Sequence, residues 1–170
     1  MTSELTSAIM ELLAARALWL MKQDAAEVGV TAATNALLEG HDSETLRELA
    51  GASVKINVFH LGALIEEALR EQGLATASMT LDDAQLLAAH FHARRVIEGT
   101  LQIRELAAWA HTVVRHEGHP LAQGLVELDD AYDADVWGWR EGPAPMQALV
   151  DFLDASTDEV RKLLETARDQ

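Results

Sequence analysis

The chain has no cysteine. That excludes a disulfide framework, a thiolate metal site and a cysteine nucleophile, and it suits a reducing cytoplasm, the location expected here. Basic residues are scarce: 13 Lys and Arg stand against 28 Asp and Glu, for a net charge of −15. A nucleic-acid binder needs a basic stripe to neutralise phosphates, and Arg94-Arg95 is too short to make one. The same charge repels anionic membrane surfaces and steers association toward basic partners. Long apolar runs are missing too. Glu11 and Arg16 interrupt the apolar stretch near the start, and no basic region precedes it, which speaks against a signal peptide. No apolar segment reaches the length needed to span a bilayer.

What is present fits a globular chain. It has 170 residues, 49% hydrophobic and 24% charged, which predicts a single domain with a proper core. Apolar residues recur at helical spacing almost throughout. The expected fold is all-α, a single-domain bundle of about eight or nine helices. It divides into a core over 1–133, an aromatic loop over 134–145 and a C-terminal helix pair over 146–168.

The stretch from Leu81 to Tyr132 organises the rest. Thr80 is a good N-cap, and Asp83 can complete a capping-box pair with it. Leu86, Ala89, His90, Ala93 and Ile97 form the apolar stripe, which places His90 in the core and His92 on the solvent side. Gly99 ends this helix. A second helix follows, with Ile103, Leu106, Ala107, Ala110, Val113 and Val114 inward, stopped at Gly118-His119-Pro120. A third buries Leu121, Leu125, Leu128 and Tyr132. The first two are expected to form a hairpin with the third across it.

Elsewhere the spacing predicts a long first helix over Thr2–Ala26, a break near Gly29, a helix over Val30–Leu38 closed by Gly40, and another opened by Asp42 as N-cap and stopped by Gly51. Arg16 falls inside the first apolar stripe; it either lays its stem on the core with a wet head or pairs with a buried carboxylate. Val54 and Ile56 suggest a short extended piece. Val58, Leu61, Ile65 and Leu69 mark the next helix, with Gly62 allowing a neighbour to come close and with His60, Glu67 and Arg70 outside. Met146, Leu149, Val150 and Leu153 face inward in one C-terminal helix. Ser156 and Glu159 suggest a capping box opening a second.

The oddity lies at the C-terminal end of the third central helix. Glu127, Asp129, Asp130, Asp133 and Asp135 crowd there, with no Lys or Arg before Arg140. Acids at a helix C-terminus oppose the macrodipole by roughly 0.3–1 kcal/mol each, and Asp129 and Asp133 repel at i, i+4. Such a local rule broken without evident compensation is a functional signal. Trp137, Trp139 and Arg140 follow in the loop, and Trp and Arg are enriched in interface hot spots. The expected binding set is therefore Glu127, Asp129, Asp130, Asp133, Asp135, Trp137, Trp139 and Arg140, docking a basic protein partner.

Seven histidines invite a metal reading. His90 and His92 point about 200° apart on a helix and cannot share an ion. His111 and His116, five apart, sit roughly 140° apart on an α-helix, which is also poor. His116 and His119 are weak candidates, since the turn at Gly118 and Pro120 could let them converge. No HExxH pattern and no pair of Glu-x-x-His motifs occurs. An EF-hand reading of the acid stretch fails at its last ligand, where Ala144 stands. No cofactor is expected. No Gly-x-Ser-x-Gly elbow or phosphate-cradling glycine loop is present.

The phrases His41-Asp42-Ser43-Glu44-Thr45-Leu46-Arg47-Glu48-Leu49-Ala50-Gly51 and Leu125-Val126-Glu127-Leu128-Asp129-Asp130-Ala131-Tyr132-Asp133 resemble phrases in small uncharacterised all-helical proteins of high-GC bacteria. That resemblance implies a helical fold and brings no activity with it. By type, small acidic helical proteins are similar to immunity proteins, which neutralise a toxin by binding it. The expected function is an acidic module docking a basic partner. The alternatives are a metal-assisted hydrolase with a His/carboxylate site, and a structural or self-associating helical protein.

Overall fold

Every regular element is helical in the computed structural model, which describes residues 5–134 and 144–170; among these no strand occurs. Among the described residues eight α-helices run in order: α1 Ser7–Leu20, α2 Ala26–Leu38, α3 Glu44–Ala50, α4 Val58–Glu71, α5 Leu81–Ile97, α6 Ile103–Trp109, α7 Gln123–Ala134 and α8 Ala144–Arg168. A π-helical turn, Ala110–Val114, continues α6, and a 3₁₀ turn, Pro120–Ala122, leads into α7. The chain forms two compact units, Met1–Ala84 with Leu163–Gln170, and Gln85–Lys162.

In the first unit, α1 packs on α2 and α4, and α3 packs on α2 and α4. The first helix is shorter than its periodicity suggests. Lys22 takes a left-handed φ of 60°, Lys22 N–H donates to Trp19 O, and Gln23 N–H donates to Leu18 O. This is the helix-ending motif usually built on glycine, formed here by a lysine that gives no warning in the sequence. The same motif closes α2 at Gly40 and α5 at Gly99, where glycine makes it legible. Asp24 then accepts from Ala26 N–H and starts α2 four residues ahead of the expected Val30. Gly29 lies inside α2, and a Cβ there would stand 3.3 Å from Ile65 Cδ1.

Gly62 behaves as its sequence implies. A Cβ on it would lie 2.4 Å from Trp19 Cε2, and Trp19 Nε1–H donates to Val58 O at 2.7 Å. Leu61, Ile65 and Leu69 are buried, while Val58 is 54% exposed at the start of α4. His60, Glu67 and Arg70 lie outside, as expected. Arg16 follows neither expectation fully. Its guanidinium is buried, yet its partner at 3.3 Å, Glu66, stays 45% exposed, and the cation lies over the Trp19 ring. Ser43, not Asp42, caps α3, accepting from Leu46 N–H; Asp42 pairs instead with Arg47. The segment around Val54 and Ile56 is a turn.

The cap of α5 closes the first unit: Thr80 N–H donates to Asp83, and Asp83 N–H donates to Thr80 Oγ1, the reciprocal cap read from sequence. The second unit carries the central stretch from Gln85 on. Leu86, Ala89, His90 and Ala93 are buried, but Ile97 is not. A hairpin joins α6 to α7, which also covers the π turn, while α5 meets α6 where the His92 ring lies against Trp109. The C-terminal pair is one helix of 25 residues. Ser156 is fully buried inside it. Its hydroxyl meets His90 Nδ1 at 2.8 Å and reaches Leu153 O at 3.4 Å, so a tertiary partner and the preceding turn take up the oxygen that the spacing assigned to a cap.

His92 departs from expectation. It is half-buried, with Nδ1 shielded and lacking a hydrogen-bond partner and its ring edge-on to Trp109 at 4.7 Å. Burial, with Arg95 second, lowers its pKa to about 4. His90 is lowered to about 4 by burial first and Arg94 second.

Candidate metal centre

A single backbone detail creates the site. Gln102 and Glu105 cap the start of α6, and the helix runs regularly to Trp109. The next turn widens: Arg115 N–H donates to Ala110 O at 2.9 Å, an i→i+5 bond. The β-branched Thr112, Val113 and Val114 sit in this segment, where α-helical packing is least favoured. Arg115 then takes a φ of 62° and ends the helix. His116 therefore lies just past the helix end, in the turn that follows Arg115, and the chain reversal there brings its ring back beside His111. Their ring centroids lie 5.5 Å apart. The 140° separation expected from regular α-helical geometry does not apply here, and the pair that it set aside is brought together.

Two aspartates of α7 face this pair. His111 Nδ1 lies 2.7 Å from Asp129 Oδ2, and its Nε2 lies 3.6 Å from Asp130 Oδ1. His116 Nε2 lies 3.2 Å from Asp130 Oδ2. Asp129 is the shielded member, with its side chain 15% exposed; His111, Asp130 and His116 are open to solvent on one side.

The protonation logic is restrictive. A neutral imidazole has one N–H. The short contact to the Asp129 carboxylate assigns that hydrogen to Nδ1, so His111 Nε2 turns a bare lone pair toward the Asp130 carboxylate. Lone pairs converging in this way call for a cation between them, either a second proton on the ring or a metal ion. One donor atom each from His111, His116 and Asp130 lies within 4.8 Å of the others. Ligands on a common zinc-like ion, at about 2.0–2.2 Å each, stand at most about 4.4 Å apart, so little movement is needed. Two imidazoles and one carboxylate form a ligand set used at open, three-ligand sites. Asp129 behind His111 supplies the outer carboxylate that usually fixes the tautomer of a ligating histidine.

The sequence-expected site residues fare unevenly. Asp129 and Asp130 belong to this cluster, while Glu127 is exposed on α7. Asp133 ends near the helix terminus with its side chain outside the described set, and Asp135, Trp137, Trp139 and Arg140 lie outside the described residues. His116 is in the cluster, but its expected companion His119 is not. His119 caps the 3₁₀ turn, with Nδ1 accepting from Leu121 N–H at 3.1 Å. Two of the α7 acids, Asp129 and Asp130, have partners within the chain, the histidines of the neighbouring helix end, and Arg104 lies over the Tyr132 ring one turn further on. His111 was the residue that spacing missed. The available signal was the coincidence of an acid-rich helix end and two histidines flanking a preceding helix end.

No protein-family model, curated protein or solved structure matches the chain.

Proposed function

We propose that this protein binds a divalent first-row metal ion through His111 Nε2, His116 Nε2 and Asp130, and that it acts as a metal-assisted hydrolase. The observation carrying this reading is the convergence of two ring nitrogens on one carboxylate, with Asp129 holding His111 from behind. Three protein ligands leave a coordination position for water, whose pKa a bound ion lowers toward neutrality. The solvent-facing side of the cluster gives a substrate access. The reading takes the cytoplasm as its compartment, as the cysteine-free composition permits.

Titration calorimetry with Zn²⁺ and Mn²⁺, joined to elemental analysis of protein purified without chelator, tests it. One ion per chain is expected. His111→Ala, His116→Ala and Asp130→Asn should each weaken binding by about 100-fold or more, and Asp129→Asn by about 10–100-fold. Hydrolysis of an activated ester should require the ion and vanish in His116→Ala. Equal affinity in the His111→Ala/His116→Ala double variant overturns the metal reading; ion binding without any ester turnover overturns the hydrolase.

Docking of a basic protein partner, in the manner of an immunity protein, is the second reading. It draws on the charge of −15 and on exposed Glu127. Neutralising Glu127 should slow capture of a basic peptide and flatten its salt dependence, whereas His116→Ala should leave that on-rate alone.

A further inference from the structure

The turn that carries His116 is held more firmly than an exposed loop needs to be. Gln123, the first residue of α7, points its amide nitrogen at three carbonyl oxygens: Arg115 O at 2.9 Å, Gly118 O at 3.3 Å and His119 O at 3.4 Å. From α5, Gln85 Oε1 accepts from His119 N–H at 2.8 Å. The space between is full. A Cβ at Gly118 would stand 2.2 Å from Val114 O and 2.7 Å from Gln85 Oε1. His116 therefore sits in a short loop pinned on both sides, and its shortest pin acts on the residue immediately before it.

We infer that Gln123 is a positioning residue for the metal site, holding His116 at its distance from Asp130 before the ion arrives. This rests on the metal reading above. The geometry explains why the task falls to Gln123: it belongs to the same rigid helix as Asp129 and Asp130. Two turns separate the clamp from the carboxylates, so the amide fixes the histidine loop in the frame of the helix that bears its partners. Without it, Arg115 at φ 62° has less to hold it, and ion binding must order the loop. Ordering at the moment of binding weakens affinity without altering any ligand.

The chemistry of the clamp separates it from a general electrostatic effect. An amide nitrogen donates to carbonyls; a carboxylate of the same size cannot. Gln123→Glu therefore breaks the clamp while adding a negative charge near the site. Charge alone predicts tighter cation binding, and the clamp predicts weaker binding.

The test is Zn²⁺ affinity by calorimetry for the full chain and for Gln123→Ala, Gln123→Met and Gln123→Glu, with His116→Ala as control. All three Gln123 variants should lose about 10–100-fold in affinity, the range typical of groups supporting metal ligands. Their metal-free melting temperatures should stay close to that of the parent, because water can reach the exposed Arg115 end of the turn. The visible spectrum of the Co²⁺-loaded protein should change as well, since the ligand geometry relaxes. Gln85→Met, which loosens the other pin, should weaken Zn²⁺ in the same direction should a Gln123 variant fail to fold. Unchanged Zn²⁺ affinity in Gln123→Ala, or tighter binding in Gln123→Glu, overturns the clamp while binding is lost in His116→Ala. Binding that survives in His116→Ala overturns the metal reading itself.

Discussion

Gly62 leaves the space that Trp19 fills, and no other residue type can. The indole sits where a Cβ would be, and its N–H is satisfied by Val58 O. Gly62→Ala should destabilise the protein by about 1–3 kcal/mol, the usual cost of overpacking. Gly124 is the internal comparison. It lies in α7 with nothing within 4 Å of a built Cβ, so Gly124→Ala should be neutral or stabilising by up to about 1 kcal/mol. Chemical denaturation of the two variants side by side checks both signs. Gly62 was readable from sequence as a close approach, although the identity of the neighbour was not. His111 shows the opposite. Its type and position were plain, but its role depends on Asp129, 18 residues away on another helix, and no spacing rule reaches across that gap.

Among the elements, the caps were the most legible because both partners lie within one turn. Thr80 and Asp83 satisfy each other's backbone N–H groups. Thr80→Ala should cost about 1 kcal/mol, read as a lower denaturation midpoint, and Asp83→Ala should cost a similar amount through the other half of the box. The limits of the same logic appear at Ser156 and Lys22. A serine followed three residues later by glutamate opens a helix only if its backbone leaves the helix, and in α8 the buried bond to His90 is made with the backbone still helical. Lys22 ends α1 in a conformation that favours glycine. Local propensity disfavours it, so local reading extends the helix. The π turn belongs to the same class: a change of one hydrogen-bond register is invisible to a rule that assumes a constant angle per residue.

For the whole molecule, the histidines link stability to pH. His90 and His92 are held neutral in the folded protein down to about pH 4, whereas in the unfolded chain they take up protons below about pH 6.5. Between those values the unfolded state binds more protons, so stability is fully present above pH 6.5 and is lost as pH falls toward 4. Each group contributes a slope of up to about 1.4 kcal/mol per pH unit. Below pH 4 both states are protonated and this contribution to the slope ends. Melting temperature measured from pH 7 to pH 4 should fall through this window. His90→Asn, which keeps a polar atom toward Ser156 but does not titrate, should lower the slope in that window; an unchanged slope would show that His90 is not held neutral.

The all-helical class, most helix positions, the Thr80 box and the glycine stops followed from sequence alone, because each depends on residues within about one helical turn of each other. Absence of long apolar stretches also carried over: no helix among the described residues is long and apolar enough to cross a membrane. The division into two units, the single long α8 and the α6–α7 pairing were decided only in three dimensions. So was the answer to the acidic end of α7. Asp129 and Asp130 are met by His111 on the widened turn and His116 in the loop just after it, and a charge pattern along one strand of text records the repulsion but not the partner that folding sets against it.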